Sequence, residues 1–238
     1  AYTLSQKGDR LKQFVPGILP PLLVASIFVA LLLAEPDFGS AFILSVITIA
    51  MLFVAGGRVI HIAGVALAAL PVGAFFIMSA DYRMKRLLAF MDPWSDPTNT
   101  GFQIIQSWIA FGSGQIWGRG LGQSRQKLHY LPEAHTDFIY SVIGEELGLW
   151  GALLILGLFG ILLVRGLRLA IESDDAFTRL MVFGLTMLLG LHALVHMSVV
   201  MGLVPTKGLV LPFVSYGGSA MVVHLTVAGM LLSVSWRR

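Results

Sequence analysis

There is no cysteine in this chain of 238 residues, which removes disulfides, thiolate metal centres and cysteine nucleophiles from its chemistry. Charge is scarce too. Asp, Glu, Lys and Arg together make up 12% of the residues, where an ordinary soluble domain carries about a quarter. Internal repeats and low-complexity tails are absent, and the start, Ala1-Tyr2-Thr3, lacks the basic, apolar and small-residue order of a secretory signal. The chain reads as a fragment of a longer protein.

What fills the space is apolar sequence, 56% of the residues, in stretches long enough at 1.5 Å per residue to cross about 30 Å of hydrocarbon. The expected fold is all-α: a polytopic transmembrane helix bundle forming one membrane domain over residues 1–238. Six spans are expected, at about 18–34, 40–56, 62–80, 138–164, 180–203 and 219–236. An even number places both ends on one side. Lys7, Arg10, Lys12, Arg58, Arg165, Arg168, Arg179, Arg237 and Arg238 all fall on that side, which the positive-inside rule makes cytoplasmic.

The long connection, residues 81–137, then lies outside while carrying Arg83, Lys85, Arg86, Arg119, Arg125 and Lys127. Over so long a loop the charge rule weakens, yet six external cations call for an anionic ligand. Within it, Phe102, Ile105, Trp108 and Ile109 recur at helical spacing, with Gln103, Gln106 and Ser107 on another side, so an amphipathic interfacial helix is expected over Gly101–Phe111. Gly112–Gly122 is too rich in glycine for a stable helix and is expected to be a loop whose backbone approaches a ligand.

Four separated motifs, in order, resemble the SEDS family (shape, elongation, division and sporulation). They are the runs Tyr82–Trp94 and Gly114–Lys127, the Pro132-Glu133-Ala134-His135-Thr136-Asp137-Phe138 motif, and Pro205–Leu209 with Ser215–Ser219. Ala134 and the Gly120–Lys127 run are more similar to the division-type members than to the elongation-type ones. Two residues depart from the family pattern: His196 stands where Asn is usual, and His129 where an acidic or aromatic residue is common.

The resemblance implies a ten-span parent, of which six spans are present here. It also implies a peptidoglycan glycosyltransferase that polymerises lipid II in septal cell-wall synthesis. The parent would sit in the bacterial inner membrane at the division septum with its active site on the outer face. A class B penicillin-binding transpeptidase and other division proteins would be its partners, and no nucleic acid is implied. Two readings from other classes share the same bundle and cations, a lipid II flippase and a non-catalytic division scaffold.

Asp137, with Thr136 as its expected N-cap, reads from the residues alone as a helix-start acid. By resemblance it is the general base that takes a proton from the acceptor sugar hydroxyl, and the helix dipole is expected to keep it ionised. Arg83, Arg86, Arg119 and Lys127 are the candidates for the leaving diphosphate, with lipid headgroups as their alternative ligand. Asp37 is either a helix cap or a site residue, and the resemblance of Pro36-Asp37-Phe38-Gly39 to a family motif favours the site.

Glu145, about 80° around the helix from Asp137, is expected to line the same cavity. Lys207 and Ser215 are read as substrate contacts or as closure of the irregular segment that bears them. His192, His196 and His224 are assigned to interhelical hydrogen bonds rather than a metal. A divalent cation, Mg or Mn, on the diphosphate follows from phosphoryl chemistry in general, with no dedicated cage in the sequence.

Overall fold

The computed structural model describes residues 1–126 and 132–236. Every regular element among them is helical. After three short helical turns at Tyr2–Ser5, Gly8–Lys12 and Phe14–Ile18 come α1 (Leu19–Ala34), α2 (Phe38–Val54) and α3 (Val59–Met78). The long connection holds α4 (Asp81–Met91) and α5 (Phe102–Gly114), and the chain ends in α6 (Ile139–Ile171), α7 (Ala176–Val200) and α8 (Gly218–Trp236).

Among the described residues, five helical stretches are long and apolar enough to cross a membrane: Phe14–Ala34, α3, α6, α7 and α8. The apolar α2, where a sixth span was expected, is shorter at 17 residues. This is a multi-pass membrane protein, and its exposed leucines, phenylalanines and valines suit an apolar solvent that makes no demand for their burial.

The chain divides into two compact units. One comprises Ala1–Phe76, Leu162–Leu189 and the chain from Val227 onward, and is centred on Leu4, Leu11, Ile18, Leu52, Ile62 and Leu180. The other comprises Ile77–Ile161 and Gly190–Thr226, and is centred on Ala134, Phe138, Tyr140, Val142, Ala193, Met197, Val200 and Leu211. Asp137 belongs to the second unit.

In that second unit the long connection is more ordered than its composition promises. An unforeseen helix, α4, occupies its start. The expected amphipathic helix forms as α5 but turns a different face inward: Ile104, Ile105, Ser107 and Ala110 are buried, while Trp108 and Ile109 are exposed. The end of α7 explains the difference. Ser107 Oγ donates to the Val200 carbonyl at 2.6 Å and Trp108 Nε1 to the Met201 carbonyl at 3.1 Å, so polar groups on α5 satisfy carbonyls that a helix end leaves open.

Of the glycines in residues 112–122, Gly114 and Gly118 make close contact with the backbone of α6. α6 is broken at Gly148, whose φ of 66° and ψ of −159° are outside helical geometry. A Cβ there would lie 2.4 Å from the Gly118 nitrogen, and a Cβ on Gly118, at φ 76°, would lie 2.2 Å from the Glu146 carbonyl oxygen. Leu149 N donates to the Gln115 carbonyl at 2.9 Å, while Arg119 N and Gly120 N donate to the Glu145 and Glu146 carbonyls, each at 3.0 Å. The loop thus satisfies carbonyls next to the break, where the helix ladder fails.

Gly118→Ala combines a left-handed backbone with a clash against backbone, so it is expected to destabilise the protein by about 1–3 kcal/mol in denaturant unfolding. Gly112→Ala, whose Cβ meets nothing within 4 Å, is expected to be neutral or slightly stabilising in the same measurement.

Candidate active site

The Asp137 turn comes first in chain order. Residues 132–138 form a succession of turns rather than the start of a helix, and α6 begins only at Ile139. Thr136 does not cap that helix. Its hydroxyl donates back to Glu133 Oε2 at 2.7 Å, tying the turn to itself. Asp137 therefore precedes the first helical turn, where the dipole was expected to act most strongly on it.

A second, irregular segment, residues 201–217, closes on this turn. Ser215 is buried and its hydroxyl works in both directions, accepting from Leu211 N at 2.7 Å and donating to the Thr136 carbonyl at 2.7 Å. Tyr216 N donates to the His135 carbonyl at 2.9 Å. At the other end of the segment, the Leu209 carbonyl lies 2.7 Å from Nδ1 of the buried His196 on α7. A carbonyl only accepts, so Nδ1 carries the hydrogen.

Between these ties sits Gly208, placed so closely that a Cβ on it would be 3.0 Å from Asp137 Oδ2. The carboxylate of Asp137 is half-buried against that backbone. Burial is the main reason its pKa is pushed up to about 6; the neighbouring Glu133 carboxylate adds to the rise, and the Arg86 guanidinium opposes it. Desolvation thus outweighs the dipole that was expected to hold the group ionised.

The cations of the long connection separate into different roles. Among the described residues, Arg86 on α4 is the cation whose charge acts on Asp137. Its neighbour Arg83 donates through Nε to the Tyr82 hydroxyl at 2.9 Å, and both guanidiniums lie over the Tyr82 ring, at 5.2 Å for Arg83 and 5.9 Å for Arg86. Arg119 is turned elsewhere: its Nη1 lies 3.8 Å from Glu145 Oε1 and its Nε donates to the Ser113 carbonyl. Lys127 falls outside the described residues. Lys207 is half-buried beside Gly208 in the closing segment.

Glu145 does not line the site. It is fully buried and accepts from Ser124 Oγ at 2.5 Å, from Ser113 Oγ at 3.2 Å, and from the backbone N–H groups of Arg125 and Gln126, each at 3.3 Å. A buried carboxylate needs that many donors, and their supply folds residues 119–126 around it. Asp37 caps α2, accepting from Ser40 N at 2.9 Å, and belongs to the first unit. His192 pairs edge-on with the His224 ring at 5.9 Å.

Comparison with known proteins follows the same lines as this geometry. All of residues 1–238 match the family model described as cell cycle protein, which groups FtsW, RodA and SpoVE. The chain belongs to that family. Within the FtsW/RodA/SpoVE family it is 51% identical over 237 residues to a probable peptidoglycan glycosyltransferase FtsW of Geobacter sp. (strain M18), covering all of this chain and 65% of the relative. The FtsW of Geobacter metallireducens is 52% identical over 237 residues, with 63% of its length covered. The chain thus spans less than two thirds of these relatives.

Two solved family-like structures superpose on it. One comes from work on the structural coordination of polymerization and crosslinking by a peptidoglycan synthase complex, with a TM-score of 0.74, 30% identity and coverage of 99% of this chain and 68% of that one. The other is the rod shape determining protein RodA of Thermus thermophilus, with a TM-score of 0.62, 28% identity and coverage of 97% and 61%.

Sequence reasoning singled out Asp137, Arg86, Lys207 and Ser215, but missed the contact of Gly208 with the Asp137 carboxylate, the Tyr82 ring under both arginines, and the hold of His196 on Leu209. The Pro205–Leu209 motif was the available signal for the first. The others are contacts between residues distant in sequence or on one short helix that composition did not predict.

Between pH 4 and 6 the folded chain holds the Asp137 proton more tightly than the unfolded chain, so this group's contribution to stability falls as pH rises through about 6. Asp137→Asn is therefore expected to gain in melting temperature relative to the wild type as pH climbs from 4 to 7, and to hold that gain above 7. Ser215→Ala leaves the buried Leu211 N–H without its acceptor and is expected to cost about 1–3 kcal/mol in denaturant unfolding. Thr226→Ala, whose hydroxyl is exposed, serves as the near-neutral control.

Proposed function

We propose that this chain carries the catalytic part of a peptidoglycan glycosyltransferase that polymerises lipid II, with Asp137 as the general base. One observation carries the reading: a half-buried carboxylate with its pKa pushed up to about 6, backed by a glycine and facing the charge of Arg86. A base poised just below neutral pH is ionised at working pH yet keeps more proton affinity than an ordinary aspartate. The names of the FtsW relatives support the same reaction.

In the proposed step Asp137 takes the proton of the acceptor sugar hydroxyl as its oxygen attacks the anomeric carbon of the donor. The bond from that carbon to the diphosphate oxygen breaks, and the electron pair leaves with the polyprenyl diphosphate. Arg86, with Arg83 held beside it on the Tyr82 ring, would meet the charge that grows on the leaving group. Lys127 and Lys207 are further candidates for that charge, whereas Arg119 is committed to Glu145.

A divalent cation, Mg or Mn, finds no cage of its own: among the described residues no three His, Asp or Glu side chains converge, so the ion would take its oxygens largely from diphosphate and water. The proposal places Asp137 on the outer face of the inner membrane at the septum. A class B transpeptidase is the proposed partner, supported by the likeness to a chain from a complex that polymerises and crosslinks peptidoglycan.

Labelled lipid II incubated with the complete protein and its transpeptidase partner, followed by gel separation of glycan lengths, tests the reading. Asp137→Asn is expected to lower polymerisation by about 10²–10⁴-fold while the variant stays folded. Arg86→Ala should also lower it. Wild-type glycan ladders from Asp137→Asn would turn the assignment to a flippase or a scaffold.

A further inference from the structure

Beyond the stretch of α6 that follows Asp137, the C-terminal part of the same helix joins α7 and α8 around a groove of about 440 Å³, wholly within the first unit. Its walls follow from helical spacing. Leu162, Arg165 and Leu169 recur every three or four residues along one face of α6, with Glu172 just past its end, and Ala228, Leu231, Leu232 and Ser235 do the same on α8. Beside it the Thr186 side chain of α7 packs on the α6 backbone, where a Cβ on Gly166 would lie 2.3 Å from Thr186 Oγ1.

The groove is amphiphilic along its length. Leu162, Ala228 and Leu231 lie farther from the C-terminal ends of their helices, and Arg165, Arg168 and Ser235 stand nearer those ends. Among the described residues neither guanidinium closes an ion pair with a carboxylate, although Glu172 also lines the groove. Both arginines are exposed and lie one turn apart, so their forks can converge on one phosphate. α8 then runs into the exposed Trp236, followed in the sequence by Arg237 and Arg238, the aromatic and basic pattern of a membrane interface.

We propose that this groove binds one anionic phospholipid of the cytoplasmic leaflet, with its phosphate on Arg165 and Arg168 and an acyl chain along Leu162, Leu231 and Leu232. Charge complementarity selects the ligand. A free phosphate makes no use of the leucine wall, and an apolar helix leaves two guanidiniums unpaired at the interface. The positive-inside rule puts these arginines on the side whose leaflet is negative, and basic pockets between transmembrane helices on that side suit anionic headgroups. The site is separate from the proposed glycosyl transfer and does not rest on it.

The test is native mass spectrometry of the complete protein released from nanodiscs containing phosphatidylglycerol or phosphatidylcholine. The wild type is expected to retain one phosphatidylglycerol and no phosphatidylcholine. Arg165→Gln/Arg168→Gln should lose at least threefold of that adduct, and Arg165→Lys/Arg168→Lys should keep most of it. Ala228→Trp, which fills the groove with both arginines intact, should lose the adduct too, with melting temperature and glycan synthesis confirming that each variant is folded.

Equal phosphatidylglycerol retention by the wild type and the double Gln variant would overturn the proposal. So would retention by Ala228→Trp, which would mean charge without a groove, or displacement by millimolar inorganic phosphate, which would mean an anion site without an acyl chain. Absence of any adduct on the wild type, as when the longer chain of the complete protein fills the groove, would overturn it as well.

Discussion

The site depends on how little water reaches one carboxylate. Asp137 is held between its own turn and the segment around Gly208, and no side chain could replace that glycine hydrogen without pressing on Oδ2. The ties that keep the segment in place are polar and paired: Ser215 to Leu211 and Thr136, Tyr216 to His135, and His196 to Leu209. Irregular backbone of this kind is tolerated next to membrane helices only when its groups find partners, and here those partners also set the surroundings of the acid. Packing, electrostatics and reactivity therefore meet in a few hydrogen bonds.

A second carboxylate shows the opposite solution. Glu145 is more deeply buried than Asp137, yet it is surrounded by hydroxyl and backbone donors and by Arg119, the arrangement a buried charge requires if its desolvation is to be offset. Its role is to fold residues 119–126 onto the broken helix α6, in concert with the glycine contacts at 118 and 148. Of two acids eight residues apart, one is satisfied and structural, and the other is left with neighbours that make it basic.

Much of this was legible beforehand. Apolar runs and basic loop ends gave the helical membrane class, because backbone satisfaction in hydrocarbon leaves little choice. Asp137 and the segment facing it stood out through motifs in a fixed order. What escaped notice has physical reasons. Gly-rich sequence signals close approach without naming what approaches, so the contact of Gly114 and Gly118 with α6 was not foreseen. Helical spacing on α5 could not show that Ser107 faces inward, since a hydroxyl is buried readily once a carbonyl such as that of Val200 awaits it. Angular position on an ideal helix is no guide from Asp137 to Glu145, because α6 starts only at Ile139, after Asp137.

Membership in the FtsW/RodA/SpoVE family gives this geometry its context, and the proposed chemistry requires that Asp137 hold its proton more firmly than an exposed aspartate does. Carbon-13 NMR of the labelled Asp137 carboxyl, isolated by subtraction of Asp137→Asn spectra in nanodiscs, measures that directly. A titration midpoint near 6 is expected, and a midpoint near the ordinary 3.8 would contradict the account.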